Sequence, residues 1–198
     1  MRHYARIVNL DIMKSIITSA IVALLGATSI NAQILTSAFN PATGHNYYLL
    51  AQSTWTVAEN EAISLGGYLV TINDAAEDNW VSTTFSNFGG VQRGLWIGLT
   101  DQDHEGTFTW VSGDPSTYRH WEAGQPDNGG VQFGPENWVN IWPNPGPRDP
   151  GTWNDFSNAD NWEGMPFSGV VEVVPEPSAV ALMGFGAAAL ILRRRVRV

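Results

Sequence analysis

The chain has 198 residues, 19 acids against 10 bases for a formal net charge of −9, and no cysteine. Between Gln33 and Pro177 the imbalance sharpens, because every acid except Asp11 lies there beside only three bases, Arg93, Arg119 and Arg148. Such a surface repels phosphate backbones and attracts hard cations, which excludes nucleic acid as a partner; the length leaves room for one domain, and nine tryptophans argue against a disordered chain.

From Met13 the stretch MKSIITSAIVALLGATSINA reads as a lysine, an apolar run and a small-residue cleavage site at Ile30-Asn31-Ala32. Residues 1–32 are therefore read as a signal peptide, with the mature protein beginning at Gln33. Asp11, close before the apolar run, makes residues 1–12 a poor extension and points to Met13 as the start of translation. An uncleaved anchor is the alternative, though the run is short for a membrane span.

Residues 33–173 form the folded domain. Thr56-Val57-Ala58-Glu59 matches a capping box, and Val57, Ala58, Ala62, Ile63 and Leu65 give a helical stripe that stops at Gly66-Gly67. Tyr68 to Ile72 is β-prone, after which Asn73 or Asp74 can cap a second helix carrying Ala76, Trp80 and Thr84 on one face. Leu95, Ile97 and Leu99 alternate as a strand, joined by the acidic loop Thr100 to Gly106 to a second strand at Thr107 to Val111. Trp138 to Trp142 and Gly169 to Val173 read as further strands, and from Gly124 to Gly164 the chain is rich in Gly, Pro, Asn and Asp. That much loop in a compact domain signals function or an ion that organises the backbone.

Residues 174–198 are an address. Val174-Pro175-Glu176-Pro177 precedes an uncharged run, Ala179 to Leu192, and then Arg193, Arg194, Arg195 and Arg197. This tripartite ending resembles the PEP-CTERM sorting signal of exported proteins in Gram-negative bacteria that make exopolysaccharide. The resemblance implies an exosortase-type sorting partner, transient membrane association, and a destination at the cell surface or in the extracellular matrix; a plain transmembrane tail is the alternative reading.

Oxygen ligands cluster in the loop-rich third of the domain: Gln125-Pro126-Asp127, Glu136-Asn137 and Trp153-Asn154-Asp155. Three carboxylates with amides suit calcium, which takes six to eight oxygens, whereas the lack of imidazole and thiolate there disfavours zinc and copper. His45, His104 and His120 are dispersed, with no Ser or Cys motif beside them, so no catalytic residue is assigned.

Here the chain resembles a C-type lectin domain, through Trp55-x-x-Ala58, Leu65-Gly66-Gly67-x-Leu69-Val70-x-Ile72, Trp96-Ile97-Gly98-Leu99, Phe108-x-Trp110, Trp121, and the Gln-Pro-Asp and Trp-Asn-Asp triplets in that order. The resemblance implies an α+β fold, the C-type lectin-like fold, with two helices packed on small antiparallel sheets and a long loop region. It also implies calcium (Ca2+) held by Gln125, Asp127, Glu136, Asn154 and Asp155, with Pro126 in cis, and a sugar bound through the same five side chains. Gln-Pro-Asp is the family's galactose-type motif. Phe133 could stack on the sugar ring or simply pack within its loop. Asp101 and Glu105, with Asn128 and Asn137 where the family often has acids, imply a weaker second calcium site. The family's paired cysteines correspond to Ala62 with Val171 and Trp138 with Asn158, so both bridges are missing. The expectation is a non-enzymatic, calcium-dependent carbohydrate-binding protein; an adhesion or matrix module binding a protein or surface, with calcium only structural, is the alternative.

Overall fold

The computed structural model describes residues 33–129 and 134–175. The signal-peptide reading, Phe133 and nearly all of the sorting segment lie outside the described residues. An N-terminal hairpin, β1 (Ile34–Asn40) and β2 (His45–Gln52), leads into helix α1 (Trp55–Ser64), β3 (Tyr68–Leu69) and helix α2 (Ala75–Phe85). Then come a 3-10 turn at Phe88–Gly90 and strands β4 (Gly94–Thr100), β5 (Thr109–Trp110), β6 (Trp138–Ile141), β7 (Trp153–Phe156), β8 (Asn161–Trp162) and β9 (Met165–Val173). The sheet runs β1-β2-β9-β4-β6-β7. Every pairing is antiparallel except β4 with β9, which run parallel.

β9 is the hub, bonded to β2, β3, β4 and β8, so the last strand of the domain is locked beside its first hairpin. Helix α1 lies close over it: a Cβ on Gly169 would come within 2.7 Å of the Ala58 Cβ and 2.9 Å of Leu69 Cδ2, so glycine is what lets helix and strand approach. β4 is buried from Gly94 through Leu99, which makes it a central strand with both faces covered. The core gathers Tyr47, Leu49, Val70, Ile72, Leu95, Ile97, Leu99, Val139, Ile141 and Val170 around Trp153. Trp153 is fully buried, with ring centroids of Tyr118, Trp110 and Trp121 at 5.6, 5.9 and 6.0 Å in edge-on contact.

Both helices occur where the pattern places them, but their details differ. The N-cap of α1 is Thr54, whose hydroxyl accepts from the Val57 N–H, and not Thr56. Glu59, the expected capping-box partner, turns inward and accepts from the Leu69 N–H at 2.9 Å. The face of α1 that is buried carries Trp55, Ala58, Glu59 and Ala62, leaving Val57 and Ile63 exposed. In α2 the cap is Asp74, and the buried face carries Glu77, Asp78, Val81, Ser82 and Phe85; of the expected face, Trp80 packs half-buried against Tyr47 and Phe85, whereas Ala76 is exposed. Buried carboxylates on each helix make the apolar stripe a poor guide to the inward face.

The positions of the absent cysteines are filled by packing and hydrogen bonds. Ala62 and Val171 are fully buried, in a helix and a strand that pack together. Trp138 lies 6.2 Å from the ring of Trp55, while the Asn158 side chain accepts from the Thr56 N–H at 3.1 Å and donates to the Thr56 hydroxyl at 2.9 Å. Both residues thereby tie the distal strands to the first turn of α1.

Candidate functional site

β6 and β7 pair in register, Val139 with Asp155 and Asn140 with Asn154, so Glu136, just before β6, is carried beside the end of β7. The segment containing Gln125-Pro126-Asp127 folds over this strand end, with the Gln125–Pro126 bond in cis. Asp155 pins it: one carboxylate oxygen accepts from the Asp127 N–H at 3.1 Å and the other from the Asn128 N–H at 2.8 Å. Asn128 adopts a left-handed conformation (φ 54°), which asparagine tolerates, and its side-chain oxygen accepts from the Glu136 N–H at 2.8 Å. Gly129 follows because a Cβ there would meet Glu136 Cδ at 2.7 Å.

The outcome is that one oxygen from each of Asp127, Glu136 and Asp155 lies within 4.8 Å of the other two, with Glu136 and Asp155 buried. Burial, then the neighbouring charges of Asp155 and Asp127, pushes the Glu136 carboxyl up to about 7. Burial also raises Asp155, against the lowering effect of the two N–H groups it accepts. Gln125 Oε1 is buried without a hydrogen-bond partner among the described residues. Asn154 is buried, and its amide donates to the Asp155 carbonyl at 2.5 Å, which fixes which end of the amide is spent. Three crowded carboxylates and an orphaned amide oxygen fit a hard divalent cation, whose charge relieves the repulsion and whose shell accepts amide oxygens.

The five expected ligands thus converge from two segments and a strand. Gln125, Asp127, Glu136 and Asn154 also line a cleft of about 320 Å³ together with Trp142, Arg148 and Trp162. These last three were not anticipated from sequence; the only signals were a cation in an acidic domain and an unusual Pro-rich segment, Pro143 to Pro150. Of the second set, Asp101 is buried, with Oδ2 accepting from the Gly106 N–H at 2.8 Å and Oδ1 unpartnered among the described residues. Asn137 Oδ1 is likewise buried and unpartnered among them, and the Asn137 carbonyl accepts from the Asp101 N–H. Glu105 is exposed, and slight desolvation together with the neighbouring Asp101 raises its carboxyl.

A model of the Lectin C-type domain matches residues 51–158, more than half of the chain, and a PEP-CTERM protein-sorting motif matches residues 173–195. Among curated relatives, a hepatic lectin of Gallus gallus is 31% identical over 111 residues, covering 55% of this chain and 47% of the relative. A salivary C-type lectin 2 of Aedes albopictus is 33% identical over 107 residues, covering 52% and 69%. The chain therefore spans about half the length of the hepatic lectin. Among solved structures, the carbohydrate-recognition domain of mouse scavenger receptor C-type lectin superposes with a TM-score of 0.54 at 29% identity, covering 70% of this chain and all of that one. The lectin CEL-I of Cucumaria echinata gives 0.56 at 26%, covering 67% and 91%.

Proposed function

Since the chain belongs to the C-type lectin domain family and carries a PEP-CTERM sorting motif, we propose that it is an exported carbohydrate-binding protein whose binding depends on calcium and favours galactose-type sugars. The observation that carries this reading is the convergence of Asp127, Glu136 and Asp155 beside an unpartnered Gln125 Oε1. Calcium would be held by Gln125, Asp127, Glu136, Asn154 and Asp155, and when bound it supplies open coordination positions for two neighbouring sugar hydroxyls. The chain's own part is to read those hydroxyls: each can donate to a carboxylate and accept from an amide N–H, so the arrangement of acid and amide selects the hydroxyl geometry. Asp155 holds the Gln-Pro-Asp segment by its backbone while lending a carboxylate to the cluster. This double use favours ligands over a glycosidase acid pair, because Asp155 has both oxygens engaged.

Calcium titration followed by tryptophan fluorescence and melting temperature, with and without galactose, tests the reading. The expected result is a rise in melting temperature that a chelator reverses, sugar binding only in calcium, and loss of sugar binding in Asp127→Ala. Galactose and glycan-array binding that persists in chelator would overturn calcium dependence. A calcium response with a blank glycan array would instead point to an adhesion module in which the ion only orders the loops.

A further inference from the structure

The domain between Gln33 and Pro175 has three arginines and no lysine. Two are consumed internally. Arg93 donates to the carbonyls of Phe85 and Phe88 at 3.2 and 3.0 Å, and Arg119 donates to those of Ser116, Tyr118 and Phe108 at 3.2, 2.7 and 3.1 Å. Arg148 differs. It is exposed, and among the described residues its guanidinium makes neither a hydrogen bond nor an ion pair, although Asp149 follows it in sequence and Asp127 and Glu136 line the same cleft.

What holds Arg148 is aromatic. Its guanidinium carbon lies 5.7 Å from the Trp142 ring centroid and 5.3 Å from that of Trp162, and these two rings are themselves 5.3 Å apart. Trp142 is in turn fixed by donating its Nε1–H to Glu122 at 3.0 Å. Two cation–π contacts orient a planar fork while leaving its N–H donors unspent. The fork lines the same cleft as Gln125, Asp127, Glu136 and Asn154.

Resting on the calcium-lectin reading above, we propose that Arg148 is a specificity-determining residue that selects saccharides bearing an anionic substituent, a uronic acid carboxylate or a sulfate ester. The ring hydroxyls of such a ligand face the acid and amide ligands, while its anion meets the guanidinium. Without Arg148 the cleft would repel this class, since the rest of its ionisable lining is acidic. A guanidinium takes a carboxylate or sulfate through two parallel N–H donors. One charge-assisted pair at a half-open site corresponds to a preference of about tenfold over the neutral sugar.

The matched probes are D-galactose, D-galacturonate and D-galactose 6-sulfate, which share ring hydroxyls and differ at the sixth carbon. Their affinities for the full chain in saturating calcium are read by calorimetry and tryptophan quenching. At least one anionic probe is expected to bind about tenfold tighter than galactose, the ratio shrinking with added salt. In Arg148→Gln the ratio is expected to fall to within about twofold of one, and Arg148→Lys, which keeps charge without the planar fork, to lie between. Whichever anionic probe binds tighter assigns the substituent. Galactose binding with no anionic preference, or a preference that survives Arg148→Gln, overturns the role of Arg148 and leaves the lectin reading standing. Failure of all three sugars to bind while calcium still raises the melting temperature overturns both.

Discussion

Two groups of carboxylates in this domain, all buried except Asp127, contain the same residue types and end in opposite situations. On the α2 side, Asp78 accepts from Trp153 Nε1 at 2.9 Å, from the Tyr118 hydroxyl at 3.2 Å and, through His120 Nδ1 at 2.5 Å, from an imidazole. Beside it Glu77 accepts from the Tyr47 hydroxyl at 2.7 Å and the Asn73 N–H at 2.9 Å. Under the long loop, Asp127, Glu136 and Asp155 crowd one another, and the donors they meet are a few backbone N–H groups. A buried carboxylate supplied with donors is a structural cross-link. Three that face each other across a few ångströms, beside an amide oxygen with no donor, are built for something the chain does not contain.

The largest effect that sharpens this contrast is expected from Asp78→Ala. It strands the donors of Trp153 and Tyr118 and the His120 ring, at about 1–3 kcal/mol for each buried group left unpaired, so a loss on the order of 3–5 kcal/mol is expected in urea denaturation. The calcium-induced rise in melting temperature should survive in the fraction that folds. A variant that kept its stability and lost its calcium response would reverse the assignment of the two groups.

Glu136→Gln makes the opposite prediction. Calcium affinity measured by calorimetry should fall at least about tenfold, the loss that even an outer-layer partner of a metal site produces. In chelator the same variant should be as stable as the parent or more so, because one of three repelling charges is gone. Destabilisation in chelator by several kcal/mol would place Glu136 with the cross-linking acids.

A smaller effect is expected from pH. Burial raises the Glu59 carboxyl from 4.5 to about 7, with the Leu69 N–H pulling the other way. Unfolded, this group releases its proton near 4.5; folded, it holds the proton until about 7. The folded state therefore binds more protons between those values, and stability in chelator falls as pH rises through that window. Burial pushes Glu77 and Asp78 in the same direction. Urea midpoints across the window should trace the fall, and Glu59→Gln should make it shallower; an unchanged slope would mean that Glu59 titrates normally.

Glu59 also shows what the sequence could and could not disclose. Thr56-x-x-Glu59 satisfies the capping-box pattern, yet Thr54 takes the cap and Glu59 goes inside, a choice made by the position of Leu69 in the next strand. Glu77 and Asp78 misdirect the face of α2 for the same reason: periodicity counts apolar residues, and these acids are buried against Tyr47, Tyr118, His120 and Trp153, far along the chain. The convergence of Asp127, Glu136 and Asp155 was legible because residue type alone carries their chemistry and short motifs hold the candidates. The cluster of Trp142, Arg148 and Trp162 was not, since these residues meet only through folding of the Pro-rich stretch, whose composition does not say which side chains it brings together.

Between the two groups of acids stands Asp101, and it provides the finest test. One of its oxygens is satisfied by the Gly106 N–H, while the other, like the side-chain oxygen of Asn137, has no partner among the described residues, and Glu105 is exposed. Half of the residue is therefore a cross-link and half is a ligand in waiting. Asn128 and Asn137 contribute amides instead of charges, so a second calcium at this place should bind more weakly than the first, affinity following ligand charge. In Asp101→Asn the amide oxygen can still accept from Gly106, so stability in chelator should change by no more than about 1 kcal/mol. Calorimetric stoichiometry should drop from two calcium ions to one. A parent protein that binds a single ion at all concentrations would assign Asp101 wholly to the structural class, and its orphaned oxygen to a bridging water.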